Sequence, residues 1–136
     1  MPDVNQMNEH DKEKIKETGI ELESSKHTYF IQDNRAEINH SADQNLILLP
    51  IQEALKKYPY IEKDYWWKLV DKDKDQYTKE TFSDMQGGYF IHVKKDQKEL
   101  LPLQACFYIK ESYYRQKVHN IIILEENAEL HIINGC

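Results

Sequence analysis

Gly87-Gly88-Tyr89-Phe90-Ile91-His92-Val93 opens the part of the chain whose reading decides the fold. The glycine pair interrupts whatever precedes it, and the next five residues have the aromatic and β-branched character of a strand. Lys94 to Glu99 is a polar corner. Leu101 to Ile109 is a second strand, with Pro102 near its opening, where a missing N–H is tolerated. Lys110 to Gln116 connects to a third strand, Val118 to Leu124. Glu125-Glu126-Asn127 then turns the chain into a fourth, Ala128 to Ile133, before an Asn134-Gly135 turn and Cys136. Short strands with polar corners, recurring roughly every 10–15 residues, suit a sandwich, a barrel or the rungs of a β-solenoid. Ile121-Ile122-Ile123-Leu124 is continuous rather than alternating, the pattern of a strand buried on both faces.

Upstream the pattern is different. Leu49 to Pro59 reads as a helix, with Pro50 in the first turn and Ile51, Ala54, Leu55 and Tyr58 at the i, i+3, i+4, i+7 spacing of one apolar face. A shorter amphipathic piece covers Ile61 to Val70. Thr28-Tyr29-Phe30-Ile31 reads as a short strand, Asp33-Asn34 as a turn and residues 39–45 as a loop. Asp11 to Thr18 predicts a short helix capped by Asn8 or Asp11 and stopped by Gly19. Ile15 is almost its only apolar residue, so it either docks or stays mobile. Asp71-Lys72-Asp73-Lys74-Asp75 looks like the opening of a calcium loop. The glycine and glutamate such a loop needs are replaced by Gln76 and Phe82, so a solvated charge run is the better reading. Thr78 to Phe82 predicts one helical turn. The expected organisation is a mostly helical region over residues 1–85, its first 24 residues mobile, followed by a β region over 86–136.

Composition narrows the function. The chain has 136 residues, with 18 Lys+Arg against 24 Asp+Glu, a net charge of −6. Phosphate binding needs a positive surface, so nucleic acid is not an expected partner. No apolar run approaches the roughly 18–20 residues of a membrane span. The polar start, Met1 to Gln6, lacks a signal-peptide core, so a cytoplasmic location is expected. With two cysteines, Cys106 and Cys136, the chain is no disulfide scaffold. No glycine-rich phosphate loop and no Ser-His-Asp constellation stands out, and no enzymatic activity is expected.

Several ordered motifs do carry an identity. Gly88-Tyr89-Phe90-Ile91, Leu101-Pro102-Leu103-Gln104-Ala105-Cys106, Val118-His119-Asn120-Ile121-Ile122-Ile123 and Glu125-Glu126-Asn127-Ala128-Glu129-Leu130-His131-Ile132-Ile133-Asn134-Gly135-Cys136 together resemble the SufB/SufD family of iron–sulfur cluster assembly scaffolds. Leu49 to Ala54 and Asp73 to Thr78 resemble its archaeal and clostridial branch. The resemblance covers about residues 46–136, with weaker matching around Gly19 to Asp33. It implies an α+β fold in which a small N-terminal helical region is followed by the first rungs of a right-handed parallel β-helix. It also implies, for an intact family member, a C-terminal region that docks a SufC-type ATPase, pairing with a second SufB/SufD-type subunit, and an iron–sulfur cluster at that pairing interface. Family chains run to several hundred residues, so these 136 are expected to be an N-terminal piece or a truncated relative. No cofactor is expected on them alone.

By the same resemblance Cys136 is the candidate for handling sulfur or cluster, since a thiolate is the nucleophile of persulfide transfer and a soft iron ligand. Cys106, mid-strand, reads as a buried inert thiol. His131 and His119 are weak metal candidates, because their spacing matches no metal motif. A scaffold cut after a few strands exposes edges and core side chains. Self-association through residues 118–136 is therefore expected, with His119, Ile121, Ile123, Leu130 and Ile132 as interface candidates. The alternative is a small stand-alone β-domain binding a metal or small ligand through His92, His119, His131 and the cysteines. The aromatic cluster of Tyr58, Tyr60, Tyr65, Trp66 and Trp67 reads as a cap on a small core.

Overall fold

The computed structural model describes residues 7–22, 27–33, 36–40 and 44–135, the stretch 36–40 by its backbone alone. In chain order the elements are α1 (Glu9–Glu17), β1 (His27–Gln32), β2 (Ala36–His40), β3 (Leu46–Pro50), α2 (Ile51–Lys57), α3 (Pro59–Asp64), α4 (Gln76–Ser83), β4 (Tyr89–Val93), β5 (Leu103–Tyr108), β6 (Ile121–Leu124) and β7 (Ile132–Gly135). The local reasons are plain. Asn8 caps α1 by accepting from the Asp11 N–H, and Gly19, at φ 88°, follows its end. Asp75 and Thr78 form a reciprocal capping box that starts α4. The charge run before it is exposed and makes turns, as a solvated segment should.

Two mixed sheets result. The four-stranded sheet has the order β2-β1-β5-β7, and the three-stranded sheet β3-β4-β6. Each begins with an antiparallel pair, β1/β2 or β3/β4, and continues with parallel ladders, β1/β5 and β5/β7 or β4/β6. The sheets meet face to face. Tyr29, Ile31, Leu103 and Ala105 from one pack with Leu46, Leu48, Tyr89, Ile91 and Val93 from the other in a single core. The Tyr29 hydroxyl reaches across this core and accepts the Gly88 N–H at 3.0 Å.

Period-2 alternation sends the intervening side chains outward to helices. Phe30 and Cys106 pack with Ile15 and Ile20 under α1. Phe90 and Ile121 pack with Ile51, Ala54 and Ile61 of α2 and α3. The domain is thus four layers: α1, the four-stranded sheet, the three-stranded sheet, and α2 with α3.

This corrects the expected first rungs of a right-handed parallel β-helix. The structure is a small α+β domain with two mixed sheets and four helices. The reason lies in residues 27–50, whose sequence reads as one short strand plus loop and helix start. They supply three strands, and all three lie in antiparallel pairs, β1 with β2 and β3 with β4. Leu46 to Pro50 shows why. Leu46 and Leu48 are buried while Ile47 and Leu49 are half-covered on the other face, an alternation that suits a strand. The helix therefore starts at Ile51, where its apolar stripe begins, two residues later than the expected start at Leu49. Pro50 is its N-cap, and Pro59 is the first residue of α3. Asn134-Gly135, read as a turn, belongs to β7.

Candidate functional site

The strands β6 and β7 end their sheets, so each leaves one row of backbone groups without a ladder partner among the described residues. Their side chains complete the picture. Ile122 pairs with Ile91 and Leu124 with Val93, both members of the inter-sheet core, so Ile122 and Leu124 continue the inward-facing rows. Yet they are 46% and 48% exposed, with no further strand over them among the described residues. Leu130 and Ile132 pack against the same core from the β7 side and are half-buried. The end of the domain formed by β6 and β7 is therefore an open section through the apolar core.

The expected interface residues divide accordingly. Leu130 and Ile132 lie at the open core. Ile121 is buried, and Ile123 is packed, on the opposite face against the α2 and α3 layer. Sequence reasoning missed Ile122 and Leu124. It read the run Ile121 to Leu124 as buried on both faces, and apolarity alone does not reveal that its inner row lacks a cover.

This edge is held in register by its corners. The Glu125 N–H donates to the Val93 carbonyl, the Asp96 N–H to the Glu126 carbonyl, and Glu99 and Glu129 continue the pattern. Ion pairs Lys95–Glu126 and Lys98–Glu129 cross the same corners. His92 adds a side-chain tie. It is buried on the outer face of β4, with Nε2 2.7 Å from Glu125 Oε1 and Nδ1 3.4 Å from the Tyr60 hydroxyl. With the proton on Nε2, the ring donates to Glu125 and accepts from Tyr60, linking α3, β4 and the end of β6. The Lys95 N–H donates to the other carboxylate oxygen. That bond and the His92 contact hold the Glu125 carboxyl below its usual range. Burial pushes the Tyr60 phenol up.

The other histidines sit elsewhere. His119 is clamped between Trp66 and Trp67, with ring centroids 4.7 and 4.2 Å away, and burial lowers its pKa. Its carbonyl oxygen would be 2.0 Å from a Cβ at position 88, and Gly88 has φ 134°, so only glycine fits there. The aromatic cluster thus covers the α3 end of the three-stranded sheet and fixes the approach to β6. His131 is exposed, and its carbonyl accepts the Leu103 N–H. His27 faces Glu99, Nε2 to Oε2 3.3 Å, with both side chains buried.

Cys106 is buried with Phe30, Ile15 and Ile20 beneath α1. Cys136 lies outside the described residues. His92, His119, His131 and Cys106 each have different neighbours. Among the described residues no group of three or more His, Cys, Asp or Glu is placed to hold a metal ion. No described helix is long and apolar enough to cross a membrane.

The helix α1 guards the far side of the four-stranded sheet. Asp11, buried, accepts from the Lys110 ammonium and from the Tyr108 hydroxyl. The Lys110 hydrogen bond holds the Asp11 carboxyl below its ordinary value of 3.8. Asp33 accepts the N–H groups of Lys110 and Glu111, anchoring the chain just past β5.

Comparison with known proteins gives this domain relatives. No family model matches the chain. It is 41% identical, over 128 residues, to an iron–sulfur cluster assembly SufBD family protein of Archaeoglobus fulgidus, a match covering 93% of this chain and 34% of the relative. A SufBD family protein of Methanothermobacter thermautotrophicus is 43% identical over 113 residues, 79% of this chain and 27% of the relative. The iron–sulfur cluster assembly protein SufB of Bacillus subtilis is 30% identical over 93 residues, 68% of this chain and 20% of the relative. The chain thus spans about a third, or less, of the length of these relatives.

Proposed function

The chain belongs to the iron–sulfur cluster assembly SufBD family, and from that premise we propose that it serves cluster assembly as a scaffold component, acting through protein–protein contacts rather than catalysis. The observation that carries the reading is the open end of the apolar core. Ile122 and Leu124 are exposed beside two strand edges that have no partner among the described residues, where an added strand would gain hydrogen bonds and apolar burial together. In this reading the cluster is cargo. Contact with a second SufB/SufD-type subunit, or with another copy of the chain, forms through β6 and β7. Contact with a SufC-type ATPase belongs to the intact protein, and Cys136 is the thiol that handles sulfur or cluster.

The test is association. The chain is co-expressed with a SufB/SufD-type subunit, co-purified through a tag, and its own mass measured by light scattering across a concentration series. Association that Ile122→Lys with Leu124→Lys abolishes supports the reading. A strict monomer at high concentration that also fails to retain the subunit counts against it. For the thiol, sulfur loading from a desulfurase is compared in Cys136→Ser and Cys106→Ser. Loss in the first alone is the expected result.

A further inference from the structure

A second site lies at the opposite edge of the same sheet, and it does not depend on the assembly reading. Where the start of β3 meets the end of β4, a cavity of about 270 Å³ opens over the apolar floor of β3. That is just below the roughly 300–1,000 Å³ of ordinary ligand pockets, a size for a small molecule rather than a large cofactor. Its polar wall consists of Lys94, His92 and the amides of Gln44, Asn45 and Gln97. Every one of these can donate a hydrogen bond, and among the described lining residues none is an acid.

That composition is unusual for this molecule. The chain carries 24 acidic residues against 18 basic. A neighbouring corner cavity, by contrast, is lined by Asp96 and Glu129 alongside Lys98. The carboxylate nearest His92, Glu125, already accepts from His92 and from the Lys95 N–H, one on each oxygen. Both His92 nitrogens have partners outside the cavity lining, Tyr60 and Glu125, so its ring is held in place. Among the described lining residues the exposed cation is Lys94, whose charge also acts on Glu125.

We propose that this cavity binds a small oxyanion, a phosphate or a carboxylate, with Lys94 supplying the charge and the amides of Gln44 and Gln97 the directed hydrogen bonds. Charge-assisted hydrogen bonds from several converging donors are the usual means of holding such a group.

The test is an NMR titration of the chain with inorganic phosphate and, separately, with malonate, at constant ionic strength. The proposal expects saturable shifts confined to residues 44–47 and 92–97. It also expects Lys94→Gln to weaken the tighter-bound probe about tenfold, while Lys98→Gln, in the neighbouring cavity, leaves its affinity unchanged. Tighter binding of phosphate identifies the ligand class as a phosphate, and tighter binding of malonate as a carboxylate. Shifts that rise linearly without saturation overturn the site. So does equal weakening by the two lysine variants, which would mean a general surface charge effect. Lys94 is exposed, so its substitution leaves the fold intact, and Gln97→Ala provides a second variant with the same expected direction.

Discussion

The two outer faces of the sandwich are covered by different means. On the three-stranded sheet, α2 and α3 bring Ile51, Ala54 and Ile61 onto Phe90 and Ile121, an apolar contact that a helical stripe predicts. On the four-stranded sheet, α1 brings little more than Ile15, and Ile20 just beyond its end. It is seated instead by Asp11 on Lys110 and Tyr108. One cover is held by area and the other by a polar latch over a small apolar contact, so the two faces should respond differently to mutation and to acid.

Phe90 and Phe30 test this most strongly, since both are fully buried at equivalent outward positions. Replacing either by Ala is expected to cost about 3–5 kcal/mol, measured by urea denaturation. A much smaller loss at Phe30 would mean that α1 does not cover its sheet in solution.

The glycines give the next contrast. Gly88→Ala sets a Cβ against the His119 carbonyl at a positive φ, and neither backbone can yield. A loss of about 3 kcal/mol is expected. At Gly135 the Cβ would meet the side chains of Thr18 and Ile20, at 2.7 and 2.9 Å. If the α1 side is the softer cover, these shift, and Gly135→Ala costs about 1 kcal/mol. Equal losses would erase the distinction.

Asp11→Ala should cost about 1–3 kcal/mol by orphaning its donors, with increased amide exchange concentrated in α1. The sign with pH follows from the lowered pKa of Asp11. The unfolded chain binds this proton more readily than the folded one. The latch therefore contributes fully above the ordinary carboxyl value and is lost as pH falls through the folded one. Exchange protection of α1 is expected to fall below about pH 4, and that fall should be absent in Asp11→Ala.

The smallest effect on stability is expected at the open end. Ile122→Lys and Leu124→Lys, at exposed positions, should stay within about 0.5 kcal/mol of the parent while removing association. A large destabilisation would show that this end of the core is covered in the isolated chain.

Much of the local structure was legible in the sequence. Gly87-Gly88 marked the change to strands, Tyr89 to Val93 is β4 as read, and Asn8 and Gly19 bound α1. Each of these depends on a residue's own φ/ψ preference or on side chains three or four positions away, which the sequence states directly. Family membership was legible for a related reason, as ordered motifs carry it without any knowledge of pairing.

Tertiary structure decided the rest. Leu46 to Pro50 became a strand because β4 lay beside it to receive its hydrogen bonds. Tyr60, His92 and Glu125 met although 32 and 33 residues separate His92 from its two partners. Ile122 and Leu124 are open because no described strand pairs beyond β6 in its sheet. A period of 2 shows that a row of side chains shares a face, but not what will stand opposite it. Strand partners are chosen by contacts distant in sequence, and only the folded chain brings those together.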